Sequence, residues 1–218
     1  MRAKAPRPHE PRAHRPATSG RPPDRFALSR RALGLALIGL AGPLTVSPAH
    51  AESVAVPFGL QAELLAKVAE YDRNFGARAA DQVQTLLVTQ PKNADSVSAA
   101  QQMSAAMGRL PLIAGLPHQE TVVAYTGAAA LVRAVRERRI SIVYFGPGFR
   151  DDVAELRAAL ADVDVISVAG IPDYVQVGIV LGFDVVSGRP KLLFNLPQAR
   201  LQKVALPASV LKLMTVFE

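Results

Sequence analysis

The chain has 218 residues and carries 25 lysines and arginines against 18 acidic residues, a formal net charge of +7. Nine of these basic residues and two of the acidic ones lie in residues 1–51, so 16 of each remain from Glu52 onward and cancel. This balance predicts no nucleic-acid partner, and the absence of cysteine excludes disulfides and thiol chemistry.

The first 51 residues have the three-part organisation of a secretory signal. A stretch rich in proline and arginine leads to the pair Arg30-Arg31, and an apolar run follows from Ala32 to Val46. This run is shorter than the about 20 residues that cross a bilayer. The small residues of Ala49-His50-Ala51 then form a cleavage site for a signal peptidase.

We therefore predict a signal peptide over residues 1–51, cleavage between Ala51 and Glu52, and a single periplasmic α/β domain over residues 52–218. The paired arginines favour the twin-arginine route, with the Sec route as the alternative. The mature part has about 167 residues, which is enough to bury a core without disulfides.

Helices and strands alternate along the mature part. Apolar residues recur at the three- and four-residue spacing of a helix from Phe58 to an aromatic segment at Phe75. Because the predicted strands are continuously apolar, they indicate a mainly parallel sheet with helices on both faces. The predicted strands are Val83–Thr89, Thr121–Thr126, Ile140–Phe145 and Val163–Val168. Three helices are predicted between them: one ends at Met107 and is capped by Asn93 or Asp95, one begins at Gly127, and one spans Asp151–Leu160.

The last quarter of the chain predicts a β-hairpin followed by two short helices. Strands over Val177–Val186 and Lys191–Leu196 flank a turn at residues 187–190, and short helices are predicted over Pro197–Lys203 and Pro207–Met214. The Asn195 side chain is placed to cap the first of these helices. Four residues are expected to cover the apolar hairpin: Leu206, Val210, Leu211 and Leu213.

This terminal stretch resembles the C-terminal end of the YfiR/HmsC-like periplasmic family. One departure is Leu193, where the family tends to carry a glutamate. The matching residues are Gly178, Ile179 and Phe183 in the first strand region, Lys191 and Asn195 in the second, and Ala199, Leu206, Ser209, Leu211, Lys212 and Leu213 in the final helices.

The resemblance implies a non-enzymatic repressor of a membrane-anchored diguanylate cyclase. Such a protein contacts the periplasmic sensor domain of the cyclase, lowers cyclic-di-GMP and restrains biofilm formation. The resemblance also implies a homodimer, and a peptidoglycan-associated outer-membrane lipoprotein as a second partner. Redox behaviour linked to the disulfides of family members cannot transfer to a chain without cysteine.

Catalytic chemistry finds little support in the residues. His118 is the only histidine after Ala51 and is expected to be a solvated residue of a proline-rich loop over residues 110–119. Without cysteine and with one histidine, a Cys-His pair and a multi-histidine metal site are excluded. We predict neither an enzyme nor a cofactor.

Two turns leave open a second function, that of a periplasmic solute- or anion-binding protein. Gly127, Gly146 and Gly148 lie where strands turn into helices, and helix N-termini attract anions. Arg150 could add positive charge. The basic cluster Arg136-Glu137-Arg138-Arg139, by contrast, is interpreted as a solvated helix end.

Overall fold

The structure, a computed structural model, describes residues 56–218, which form one seven-stranded sheet with helices on both faces. The predicted signal peptide over residues 1–51 lies outside the described residues. The strands are β1 (Val83–Thr89), β2 (His118–Ala124), β3 (Ile142–Phe145), β4 (Ile166–Ala169), β5 (Leu181–Val186), β6 (Arg189–Asn195) and β7 (Thr215–Phe217). The helices are α1 (Phe58–Tyr71), α2 (Phe75–Ala79), α3 (Ala94–Met107), α4 (Ala128–Glu137), α5 (Val153–Leu160), α6 (Asp173–Val177), α7 (Leu196–Leu201) and α8 (Ala208–Leu211).

The strand order is β2-β1-β3-β4-β5-β6-β7. The first five strands in this order are parallel, β6 is antiparallel to β5, and β7 is parallel to β6. The predicted mainly parallel α/β fold with a C-terminal hairpin is therefore confirmed. Because the chain order reverses between β1 and β3, a crevice is expected at their carboxyl ends, where open α/β sheets bind ligands.

Strand β3 shows why the central strands are continuously apolar. Ile142 and Tyr144 lie in the core on the α1 and α3 face of the sheet, whereas Val143 and Phe145 lie in the core on the α4 and α5 face. Successive side chains of a strand point to opposite faces, so a strand covered on both sides needs apolar residues throughout.

Two asparagines begin helices as the sequence indicates. Asn93 caps α3 by accepting a hydrogen bond from the Ser96 amide at 2.9 Å. Asn195 caps α7 by accepting one from the Gln198 amide at 2.9 Å, and its Nδ2 donates to the Val175 carbonyl at 2.8 Å. Asn195 thus joins β6, α7 and α6.

The terminal hairpin is confirmed, with a shorter first strand than predicted. Ser187 (φ 51°) and Gly188 (φ 74°) form the tip, and two consecutive left-handed residues suit a two-residue hairpin turn. The chain before Leu181 is not a strand, because Asp173–Val177 forms α6 and Gly178 (φ 147°) ends it.

Two further expectations about the C-terminus are wrong. The last helix ends at Leu211, and Thr215–Phe217 pairs with β6 as a further strand. Leu206, Val210 and Leu211 do pack on the core, but Leu213 is 72% exposed and covers nothing.

Candidate functional site

The crevice at the carboxyl ends of β1 and β3 contains the glycines that the sequence singles out. Gly146 and Gly148 follow β3, and Gly148 has φ 92°. A Cβ on Gly148 would lie 2.7 Å from Nδ2 of Asn93, which caps α3 after β1. Gly148 therefore allows the two turns to approach each other closely. Gly127 caps α4 after β2, on the other side of β1.

Several groups of the crevice already have protein partners. The Phe149 amide donates to the Tyr174 hydroxyl at 2.9 Å, and Gln90 Nε2 donates to the Asp152 carboxylate at 2.6 Å. The Asp152 carboxylate would repel an anion in the crevice, and the Phe149 amide already donates to Tyr174 and is not available to an anion. Arg150 points toward Asp173 at 3.4 Å, and both side chains are exposed. The anion site at these turns stays a prediction.

Tyr125 lies beside Gly127 and lines a cavity of about 150 Å³. Its ring contacts Phe149 edge-to-face, with 5.4 Å between the ring centroids. Burial raises the pKa of Tyr125 to about 12, and the charges of Asp152 and Glu155 add to this effect. Its hydroxyl has no hydrogen-bond partner among residues 56–218.

An apolar surface runs along both sides of α1. A hollow of about 380 Å³ separates α1 from α8 and β6, and a hollow of about 530 Å³ separates α1 from residues 110–115. Both hollows share Leu64 and Lys67. Tyr71, Leu112 and Leu213 at their rims are 51%, 49% and 72% exposed. We call these two hollows and their rims the α1 surface.

Three charged residues line the α1 surface, namely Glu63, Lys67 and Glu70. On the ridge between the hollows, Lys67 Nζ pairs with the Glu70 carboxylate at 2.9 Å, and this hydrogen bond raises the pKa of Lys67. The pair neutralises itself, so Glu63 leaves one negative charge beside a lining that is otherwise mainly apolar. Contiguous exposed apolar patches are candidates for interaction sites.

His118 is not the solvated loop residue that the sequence predicted. It is the first residue of β2, and its side chain is 8% exposed. Nδ1 lies 2.6 Å from the Glu120 carboxylate, and Nε2 lies 2.9 Å from the Leu110 carbonyl. His118 therefore fastens the loop that borders the α1 surface to the edge of the sheet, which is a structural role.

A buried ionic network was missed in the sequence. Arg78 donates through Nη1 to Asp72 at 2.6 Å and through Nε to Asp164 at 2.6 Å. Its Nη2 also donates to the Lys203 carbonyl at 3.2 Å. The one sequence signal is an arginine inside the otherwise apolar α2. This network joins α1, α2, the residues before β4 and the end of α7.

Residues 56–218 contain neither a candidate metal site nor a candidate membrane-spanning helix. No group of three or more histidine, aspartate or glutamate residues in this part of the chain could hold a metal ion. No helix in the same range has the length and apolar character needed to cross a bilayer.

The sequence model of the YfiR/HmsC-like family matches residues 59–215, which is most of the chain. The chain belongs to the YfiR/HmsC-like family. The family is one of periplasmic regulators, not of enzymes, and it acts with diguanylate cyclases. Membership confirms the resemblance and supports a periplasmic regulator. A search of curated proteins found no match.

Solved structures similar to this YfiR/HmsC-like chain share its fold at low sequence identity. A conserved domain protein from Vibrio cholerae O1 biovar El Tor is 13% identical with a TM-score of 0.53, covering 74% of this chain and 60% of that protein. The ligand-free, open form of a substrate-binding protein with adhesive properties from Clostridium difficile is 8% identical with a TM-score of 0.50, covering 77% and 61%. The chain thus spans about 60% of the length of these structures, and the likeness shows the fold alone.

Proposed function

We propose that this protein is a non-enzymatic repressor of a membrane-anchored diguanylate cyclase. It binds the periplasmic sensor domain of the cyclase, lowers cyclic-di-GMP in the cell and restrains biofilm formation. Family membership over residues 59–215 supports this proposal most strongly.

The α1 surface is the contact face in this proposal. Its two hollows are lined mainly by apolar side chains, and three large apolar residues project at their rims. Docking of a sensor domain would bury these side chains, each of which contributes about 1.5–3 kcal/mol when fully removed from water. A few such anchors in hollows provide most of the binding energy of a protein interface.

The proposal includes the maturation and assembly that the sequence indicates. Export by the twin-arginine route, cleavage between Ala51 and Glu52 and release into the periplasm place the protein beside the sensor domain. A homodimer is the proposed assembly, and a peptidoglycan-associated outer-membrane lipoprotein is the proposed competitor that sequesters the repressor. N-terminal sequencing of the periplasmic fraction tests the cleavage site.

Deletion and complementation in the native host test the repressor. Deletion should raise the signal of a cyclic-di-GMP reporter, and the wild-type gene should restore it. Tyr71→Glu and Leu213→Glu each place a charge on the α1 surface and should fail to restore repression. Val186→Glu is the matched control, since Val186 is 51% exposed at the hairpin tip, away from the α1 surface.

Each outcome bears on a separate part of the proposal. An unchanged reporter signal after deletion would contradict the repressor itself. Full repression by Tyr71→Glu and Leu213→Glu would exclude the α1 surface as the contact face, while the proposal that the protein is a repressor would still stand. Thermal melts of the purified variants confirm that each still folds.

A further inference from the structure

A second, charged cavity lies at the opposite end of the sheet from the crevice. It has a volume of about 430 Å³ and opens beside the residues that precede β3 and β4. Arg78 of α2, Arg136 and Arg139 at the end of α4, and Asp162 and Asp164 before β4 line it. This volume lies in the range of small-molecule sites, about 300–1,000 Å³.

Two arginines of this cavity are available to a ligand. Arg78 is already engaged by Asp72, Asp164 and the Lys203 carbonyl, so it is not available to a ligand. Arg136 and Arg139 are exposed, and neither has an ion-pair partner among residues 56–218. Arg136 and Arg139 exceed Asp162 by one positive charge, at the end of α4, whereas the negative charge that Arg78 leaves uncompensated belongs to the Asp72 and Asp164 pairs.

The backbone around the cavity is strained. In the described part of the chain, six residues other than glycine have positive φ, and three of them line this cavity: Ala80 (50°), Arg139 (52°) and Asp162 (60°). Such backbone conformations are costly and cluster at functional sites.

The position of Arg139 is the most informative of the three. The Ile140 amide donates to the Val135 carbonyl at 2.9 Å, and the Arg139 amide donates to the Arg136 carbonyl at 3.4 Å. This is the Schellman pattern at the end of a helix, and its left-handed residue is usually glycine. The chain has an arginine there instead, at a cost to folding, and that arginine lines the cavity.

We propose that this cavity binds a small oxyanion, a carboxylate or a phosphate, through the guanidinium groups of Arg136 and Arg139. The planar guanidinium donates paired hydrogen bonds that match the oxygens of both groups. The site is separate from the α1 surface, so it supplies a ligand-binding function beyond repression. It also gives a role to the basic cluster over residues 136–139, for which the sequence predicted only a solvated helix end.

Titration of the purified chain with inorganic phosphate, and separately with succinate, tests the site by NMR shifts of backbone amides. Binding should shift the amides of residues 136–140 and 162–164, and the tighter of the two probes identifies the phosphate or the carboxylate as ligand. Arg136→Gln and Arg139→Gln should each weaken binding about tenfold, since each removes a charge-assisted hydrogen bond. Arg133→Gln is the matched control, because it removes the same charge from α4 outside the cavity.

Two further variants test the repulsion by Asp162 and the backbone cost of Arg139. Asp162→Asn removes a repelling charge and keeps a residue that tolerates left-handed φ, so it should tighten binding. Arg139→Gly should raise the melting temperature, because glycine suits this φ, while binding weakens. Absent shifts with both probes, equal losses in the Arg133→Gln control, or weaker binding by Asp162→Asn would overturn the proposal.

Discussion

The guanidinium of Arg78 and the carboxylate of Asp72 form a buried ion pair, with 2.6 Å between Nη1 and Oδ2 and side chains that are 2% and 0% exposed. The other oxygen of Asp72 accepts from the amides of Asn74 at 3.2 Å and Ala205 at 2.9 Å. Arg78 pairs equally closely with Asp164, at 2.6 Å, but the side chain of Asp164 is 44% exposed. The two pairs have the same length and differ in their access to water.

Removal of Arg78 should therefore destabilise the domain far more than removal of Asp164. Arg78→Met leaves the Asp72 charge buried and unpaired, which costs about 3–5 kcal/mol. Asp164→Ala breaks a partly solvated pair, and such pairs contribute about 0–1 kcal/mol. Urea denaturation of the two variants beside the wild type measures this difference. Equal losses in the two variants would contradict the dominant role of burial.

Gly148→Ala should destabilise the fold, because it combines a strained φ of 92° with a close contact to the Asn93 side chain. The expected loss is at least about 1 kcal/mol. Gly59→Ala is the opposite case, since Gly59 lies in the first turn of α1 with no atom within 4 Å of the added Cβ. Alanine is favoured over glycine by up to about 1 kcal/mol in a helix interior and by less in the first turn, so this variant should melt slightly higher than the wild type. A stabilised Gly148→Ala variant would show that the turns do not need their close approach.

Alkaline pH should destabilise the domain through Tyr144, which is buried, and Tyr125, which is partly buried. Burial raises the pKa of Tyr144 far above its ordinary value of 10, and the pKa of Tyr125 rises to about 12. Both folded-state pKa values lie above those of the unfolded chain, so this stability is fully present below about pH 10 and decreases as the pH rises further. Urea midpoints between neutral pH and about pH 11 should fall, and Tyr144→Phe should flatten the decrease. A Tyr144→Phe profile parallel to that of the wild type would exclude this cause.

Local patterns predicted most of the fold because most of its elements have a regular period. Strand β1 was predicted with its observed bounds, since its apolar and β-branched residues end at Thr89 and Pro91 follows shortly after. Helix α6 was not predicted, because a five-residue helix shows no clear period, and its last residue, the β-branched Val177, was assigned to the strand that follows. Strand β7 has three residues and gains its structure by pairing with β6, which local sequence does not reveal.

The candidate sites were less predictable, because they depend on contacts between distant parts of the chain. Arg78 and Asp164 are 86 residues apart, and only the folded sheet brings them together. His118 follows Pro117 and was assigned to a loop, yet pairing with Val83 makes it the first residue of an edge strand. The exposure of Leu213 follows from the end of α8 at Leu211, whereas the sequence predicted a helix that continues to Met214.

Deletion of residues 206–218 should unfold the domain, whereas a change at Leu213 should not. The deletion removes β7 and the partly buried Leu206, Val210 and Leu211, together with Met214, which is 7% exposed. Each of these side chains contributes up to about 1.5–3 kcal/mol when buried, and the total stability of a domain is about 5–15 kcal/mol. Leu211→Ala should thus lower the melting temperature, while Leu213→Ser leaves it unchanged.

Thermal melts combined with the cyclic-di-GMP reporter separate structure from contact in this segment. The truncated protein should neither melt cooperatively nor repress, and Leu211→Ala should repress in proportion to its folded fraction. Leu213→Ser should melt like the wild type and repress less, because it removes an exposed anchor from the α1 surface. A truncated protein that melts near the wild-type temperature without repressing would show that residues 206–218 serve contact alone and that their apolar side chains do not hold the domain together.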